Sequence, residues 1–267
     1  MNHNSLKKFY IFLLPIFIFL IHIPFVFAKV IPDSQKEVQK EVQKEVQTTK
    51  IVSAIPLEYT KPLYSKEISK SLLYDSLKLN TMGLSKEAFD YGIEGFNRLR
   101  SLGKLNNDNI LSIVDFSLPS SRKRLFVIDL ENAKVLFNTY VAHGRNSGKE
   151  FANRFSNAPE SYKSSLGFYI TKETYNGEHG FSLQLEGEEK GINDNAYRRA
   201  IVIHKADYVD ESLIRSQGYI GRSLGCPALP DQYSKPIIET IKDGSCFFMF
   251  SPDPYYLSHS QLLHSAS

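Results

Sequence analysis

From Asn106 onward the chain is a succession of short apolar runs, each too short for a typical packed helix. Ile110–Phe116, Arg124–Leu130 and Lys134–Val141 are rich in β-branched and aromatic residues, the composition of a pleated surface. Glu131 and Asn132 stand between the last two and read as a tight hairpin connection. Gly167–Lys172, Phe181–Glu186, Ala200–His204 and Ser245–Phe250 extend the series. Glycine and asparagine collect in the intervening loops, at 144–148, 176–180 and 187–195. Many short strands with few helices predict an α+β, mainly β domain, a sandwich or partly open barrel.

The period differs upstream. Ile68, Leu72 and Leu73 form one helical stripe, and Phe89, Ile93, Phe96 and Leu99 form a second. Ser85 is placed to cap the second helix and Gly103 to end it. Two helices joined around Asn80–Gly83 are too few to build a core of their own, so this small N-terminal helical segment, 63–105, is expected to pack on the β-rich domain at 106–255. Residues 256–267 are left as a C-terminal tail.

The first residues carry an address. Lys7 and Lys8 precede an apolar run from Phe9 to Phe27, broken by Pro15, His22 and Pro24, and Val26-Phe27-Ala28 offers a cut after Ala28. This is the layout of a secretory signal peptide over 1–28, or of an N-terminal membrane anchor if the cut is not made. Either way the remainder is exported, to the periplasm or cell envelope. No cysteine follows the run to take a lipid. Residues 29–62 read as a polar linker, with QKEV repeated three times at 35–46. The net charge is 32 − 29 = +3, too small a surplus to argue for nucleic acid as a partner. Two cysteines cannot make a disulfide scaffold. With no CxxC, no HExxH and scattered histidines, no metal and no other cofactor is expected.

Chemistry concentrates near Cys226. It lies in Gly221-Arg222-Ser223-Leu224-Gly225-Cys226-Pro227, where Gly225 permits close backbone approach and backbone N–H groups can meet an oxyanion. A cysteine in a glycine turn is commonly structural. His204, at the tip of a buried apolar run, supplies what a thiol nucleophile needs, a base that takes its proton and returns it to a leaving amine. His143 and His179 lie in loops and compete for that role, as substrate contacts or turn-ordering residues. Cys246, within an apolar run, reads as a buried structural thiol, the alternative being a disulfide with Cys226.

A strand-end histidine, a loop and Ser-x-Gly-Cys together resemble the L,D-transpeptidase (YkuD-like) catalytic domain, in its divergent murein L,D-transpeptidase branch. The segments Asp115–Ser117, Val141–Gly148, Phe155–Asn157, Ser165–Tyr169, Gly180–Leu183, Asn193–Ala196 and Gly221–Pro230 carry the likeness, over roughly 106–250. The common pattern has Gly after the histidine, His within the cysteine motif, and Arg or Asn two residues after the cysteine. This chain has Lys205, Leu224 and Ala228 there.

The resemblance implies an L,D-transpeptidase-like β-sandwich or open barrel and an exported transpeptidase acting on peptidoglycan stem peptides. Cys226 would attack the carbonyl before a terminal D-Ala to form a thioester, with His204 as base and then acid. Gly225 and Ser223 would shape the motif and its oxyanion donors, and Arg222, Tyr219 and His143 would be the substrate contacts. An acceptor amine would resolve the thioester; water would make the protein a carboxypeptidase or other hydrolase. The three departures keep open a third reading, a catalytically silent murein-binding module.

Overall fold

The computed structural model describes residues 70–264, within the second of the chain's two compact units, Leu57–Ser267. The expected signal segment, the QKEV linker and the start of the helical segment lie outside the described residues. None of the described helices is long and apolar enough to cross a membrane.

Eight strands form one mixed sheet: β1 (Ile110–Asp115), β2 (Leu125–Asp129), β3 (Lys134–Thr139), β4 (Gly167–Gly177), β5 (Gly180–Gly187), β6 (Val202–Lys205), β7 (Ala228–Leu229) and β8 (Cys246–Phe250). Their order is β3-β2-β1-β8-β4-β5-β6-β7. The mainly β expectation holds, in its open-barrel rather than two-sheet form. β1 and β8 pair in parallel at the centre, and every residue of both is buried. Strands covered on both faces need apolar residues at successive positions, which is why Cys246–Phe250 reads as a continuous run rather than an alternation. β3 lies at an edge and is only partly buried.

The N-terminal helices run over 70–76 (α1), Leu79–Met82 (α2) and Lys86–Ser101 (α3). Ser85 caps α3, its Oγ accepting the Ala88 N–H at 3.1 Å. At the other end the N–H groups of Gly103 and Lys104 return to the carbonyls of Arg100 and Leu99, the crossed pair that closes a helix on a left-handed glycine. Phe89, Ile93, Phe96 and Leu99 are all buried as α3 packs on β1 and β8. Each side chain so buried contributes about 1.5–3 kcal/mol. The contact depends on Gly95: a Cβ there would lie 2.0 Å from the Phe168 ring, which itself stacks on Phe248 at 4.0 Å. The second stripe is therefore part of the sheet's core; in the first, Leu72 is exposed, Leu73 is only partly buried, and Ile68 lies outside the described residues.

Three helices follow among and after the later strands: α4 (Glu211–Gln217), α5 (Asp231–Ile241) and α6 (Pro254–His259). α5 packs on β5 and β6. α6 and the residues after it do not trail as a tail: Tyr256, Leu262 and Leu263 are buried. They are fixed by Glu189, a buried carboxylate that accepts from the Phe168 N–H (2.8 Å), the Tyr256 hydroxyl (3.3 Å) and the Ser260 hydroxyl. Burial pushes its pKa upward, against those three bonds.

Two boundaries differ from expectation in ways that matter for chemistry. The strand that carries His204 runs from Val202 to Lys205 rather than from Ala200, because Ala200 takes the left-handed region (φ 53°). β4 continues past Lys172 to Gly177 and carries an exposed hairpin beyond the body of the sheet.

Candidate active site

Strands β6 and β7 pair in parallel, with His204 opposite Ala228 and Lys205 opposite Leu229. That register brings the turn before β7 beside the start of β6. The Cys226 Sγ accepts the Val202 N–H (3.5 Å) and its S–H donates to the Ala200 carbonyl (3.6 Å). Val202 and His204 lie two residues apart on one face of β6, about 7 Å at a rise of about 3.3 Å per residue. The thiol is thus held by backbone of the segment that ends in His204, and the non-glycine left-handed turn at Ala200 aims one of the two groups. No hydrogen bond joins Sγ to His204 itself in this resting arrangement. Such bonds often form only with substrate in place.

The motif turn is built by Ser223. Its Oγ accepts the Gly225 N–H (3.0 Å) and donates to the Cys226 carbonyl (2.6 Å), while its N–H reaches the His143 carbonyl (2.9 Å). With both functions engaged, the hydroxyl bridges the two ends of the turn. Gly225 has φ 129°, and a Cβ there would meet Ile201 Cδ1 and the Lys163 carbonyl at 3.0 Å. The Gly225 N–H is already bonded, whereas the Cys226 N–H bonds to none of the described residues.

His204 is buried, and its Nδ1 lies 2.7 Å from the Lys205 carbonyl. A carbonyl only accepts, so Nδ1 carries the proton and Nε2 presents a lone pair. The departure from Gly to Lys at 205 therefore leaves the orienting carbonyl in place, and the Lys205 ammonium turns away to Asp231 (3.0 Å). Burial holds the His204 pKa below the usual histidine value, the Lys205 carbonyl opposes it, and the charge of His179 adds to the lowering. Burial raises the Cys226 pKa, moderated by the Val202 N–H and then by Arg199. At neutral pH these directions make Cys226 a thiol and His204 a neutral imidazole.

Of the other expected contacts, His143 is closed off, while Arg222 and Tyr219 keep exposed surface. His143 is fully buried, its Nδ1 accepting from the Arg124 guanidinium at 2.7 Å, so its ring has no surface to offer substrate in this conformation. Its pKa is lowered to about 3, by burial first and then by Arg124. Arg222 is exposed but donates to the carbonyls of Arg145 (3.3 Å) and Gly148 (3.1 Å), tying the 145–148 loop to the motif. Tyr219 is half-buried with the Lys149 ammonium 5.3 Å from its ring. Cys246 and Cys226 are both free thiols, so no disulfide links them.

Two residues that the sequence did not single out take part. Arg199 donates to Ser156 O, Ser165 Oγ, Ser161 Oγ and Lys163 O, and its charge bears on the thiol. Its only sequence signal is a pair of arginines just before an apolar run. Tyr208 takes the Gly221 N–H on its carbonyl (2.7 Å), and burial raises its phenol to about 12. Leu224, in place of the motif histidine, is 58% exposed beside Cys226.

Against known proteins, residues 80–250 match the family model described as the L,D-transpeptidase catalytic domain. Among solved structures, an L,D-transpeptidase from Mycobacterium smegmatis aligns at 13% identity, covering 54% of this chain and 59% of that one, with TM-score 0.33. The helical cell shape determining protein Pgp2 from Campylobacter jejuni aligns at 16% identity over 65% of this chain and 61% of that one, TM-score 0.37. A further L,D-transpeptidase, solved in complex with imipenem, aligns at 12% identity over 53% and 59%, TM-score 0.33. The chain spans about three-fifths of the length of these structures. No curated protein matches it.

Proposed function

The chain belongs to the L,D-transpeptidase catalytic-domain family, and on that premise we propose that it is an exported cysteine transpeptidase acting on peptidoglycan stem peptides. The observation that carries this reading is the joint suspension of Cys226 and His204 from one short stretch of backbone, 200–205: the thiol on Val202 and Ala200, the imidazole fixed through Nδ1 by the Lys205 carbonyl.

In the proposed reaction His204 Nε2 removes the Cys226 proton as sulfur attacks the carbonyl carbon before the terminal D-Ala of a donor stem. The C=O π pair moves to oxygen, where the Cys226 N–H meets the developing charge. Collapse expels the D-Ala amine, which takes the proton from His204, and leaves a thioester on Cys226. An amine of an acceptor stem then loses a proton to His204 and attacks the thioester carbonyl. The thiolate leaves and is reprotonated by His204, and a new amide cross-link results. A base of lowered pKa suits this cycle, because it stays neutral between turnovers and yields its proton readily.

The test is acylation followed by product analysis. The full chain incubated with imipenem gains the mass of the drug on Cys226, and digested murein gains cross-links between third-position residues. Stem shortening without cross-links assigns the site to hydrolysis. A protein whose Cys226 is neither acylated nor alkylated at neutral pH is a silent binding module, and the enzymatic reading is then wrong.

A further inference from the structure

The β4–β5 hairpin ends in a tight turn, with Gly177 paired to Gly180 and Glu178 and His179 between them. From Tyr175 to His179 the hairpin is exposed, and it has no core of its own to fill. Yet the His179 ring does not point away into water. It lies nearly parallel to the His204 ring, with centroids 4.3 Å apart and planes inclined by 22°. β5 pairs with β6 through Leu183 opposite Ile203, so the hairpin tip is delivered to the end of the strand that carries His204. His204 retains only 3% of its surface.

We propose that His179 is a positioning residue for the general base, clamping one face of the His204 imidazole so that Nδ1 stays on the Lys205 carbonyl and Nε2 stays turned to the reacting groups. This rests on the reading of Cys226 and His204 as nucleophile and base. The Lys205 bond fixes one edge of the ring but leaves it free to pivot about that bond; a second ring stacked on the face removes that freedom. The cysteine motif carries an exposed leucine at 224, and the imidazole that covers His204 comes from a hairpin distant in sequence. Of the charged groups around His204, Lys205 is paired to Asp231, and His179 is the side chain whose charge bears on it.

The experiment compares His179→Ala and His179→Phe in the full chain, by the rate of Cys226 acylation by imipenem across pH, with folding checked by circular dichroism. His179→Ala is expected to slow acylation about tenfold, within the hundredfold that a misplacement of about 1 Å can cost. Its acid limb is expected to move to higher pH, since uncovering His204 and removing a neighbouring charge both raise its pKa. His179→Phe keeps the ring cover and is expected to recover most of the rate. The proposal is overturned if His179→Ala acylates as the parent does with an unmoved acid limb, or if the Phe variant is as slow as the Ala variant. If the alanine variant does not fold, the NMR titration of the His204 ring in His179→Phe decides, since loss of the neighbouring charge alone must raise it. A parent protein that is never acylated defeats the enzymatic reading instead, and the His204 titration in the same variants still tests the stack.

Discussion

The molecule holds two thiols in contrasting surroundings. Cys246 sits in β8 at the centre of the sheet, without exposed surface, and burial pushes its pKa far up. Cys226 sits at the far margin of the same sheet, half-buried, where a backbone N–H and an arginine work against the rise. The buried histidines divide in the same way. His143 is sealed beneath Arg124 with its Nε2 buried and unpartnered, whereas the His204 ring is held by the Lys205 carbonyl at the end of β6. Residue type alone does not separate the members of either pair. The difference lies in whether the backbone around the group is closed by its neighbours, as at the sheet centre, or left with unpaired N–H and C=O groups, as at the edge.

The sharpest way to break this contrast is to remove each sulfur in turn. Cys226→Ala is expected to abolish imipenem acylation while leaving the circular dichroism spectrum unchanged. Cys246→Ala is expected to acylate at the parent rate but lose about 1–2 kcal/mol in urea denaturation, from the void left in β8. If the Cys246 variant were the inactive one, the assignment of roles would be reversed.

Next comes the turn that places the reactive sulfur. Gly225→Ala forces a side chain onto φ 129° and into the Lys163 carbonyl, so the acylation rate should fall about a hundredfold with the displaced thiol. Arg199→Met tests the electrostatic half of the contrast. Without that cation the Cys226 pKa should rise further, slowing iodoacetamide labelling at neutral pH about fivefold and moving the alkylation midpoint upward. A midpoint that stays put would show that the guanidinium serves only the serines and carbonyls it binds.

The last test concerns the sealed histidine. His143 has a pKa near 3 when folded, against an ordinary value of about 6.5 when unfolded. Between those limits the unfolded chain binds a proton that the folded chain refuses, so stability falls as pH falls, by at most about 1.4 kcal/mol per unit, and the contribution is complete above about 6.5. His143→Gln should flatten that slope in denaturation midpoints measured between pH 4 and 7, roughly the window in which the histidine differs between states. An unchanged slope would mean that the imidazole is not sealed in solution.

How much of this was legible beforehand follows the same division. The central strands announce themselves, because residues buried on both faces must be apolar at every position, and α3 is marked at both ends by Ser85 and Gly103. Cys226, His204 and Ser223 are the residues that a local motif nominates. His143 was misplaced because a loop histidine beside glycine reads as accessible, and nothing local reveals that Arg124 will close over it. Arg199 and Ala200 were missed for a related reason: their roles come from a left-handed backbone and from contacts to serines far along the chain. Nothing local distinguishes His179 from the other loop histidines, since its meeting with His204 depends on how far β4 and β5 extend.

The buried carboxylate of Glu189 sets a practical border. The family likeness ends at residue 250, yet two of the three donors on that carboxylate, Tyr256 and Ser260, lie beyond it. A fragment cut at the edge of homology would strand a desolvated acid in its interior, the kind of loss that costs about 1–3 kcal/mol or more. For anyone transplanting this module into another chain, the piece to carry is therefore longer than the piece that evolution has kept recognisable.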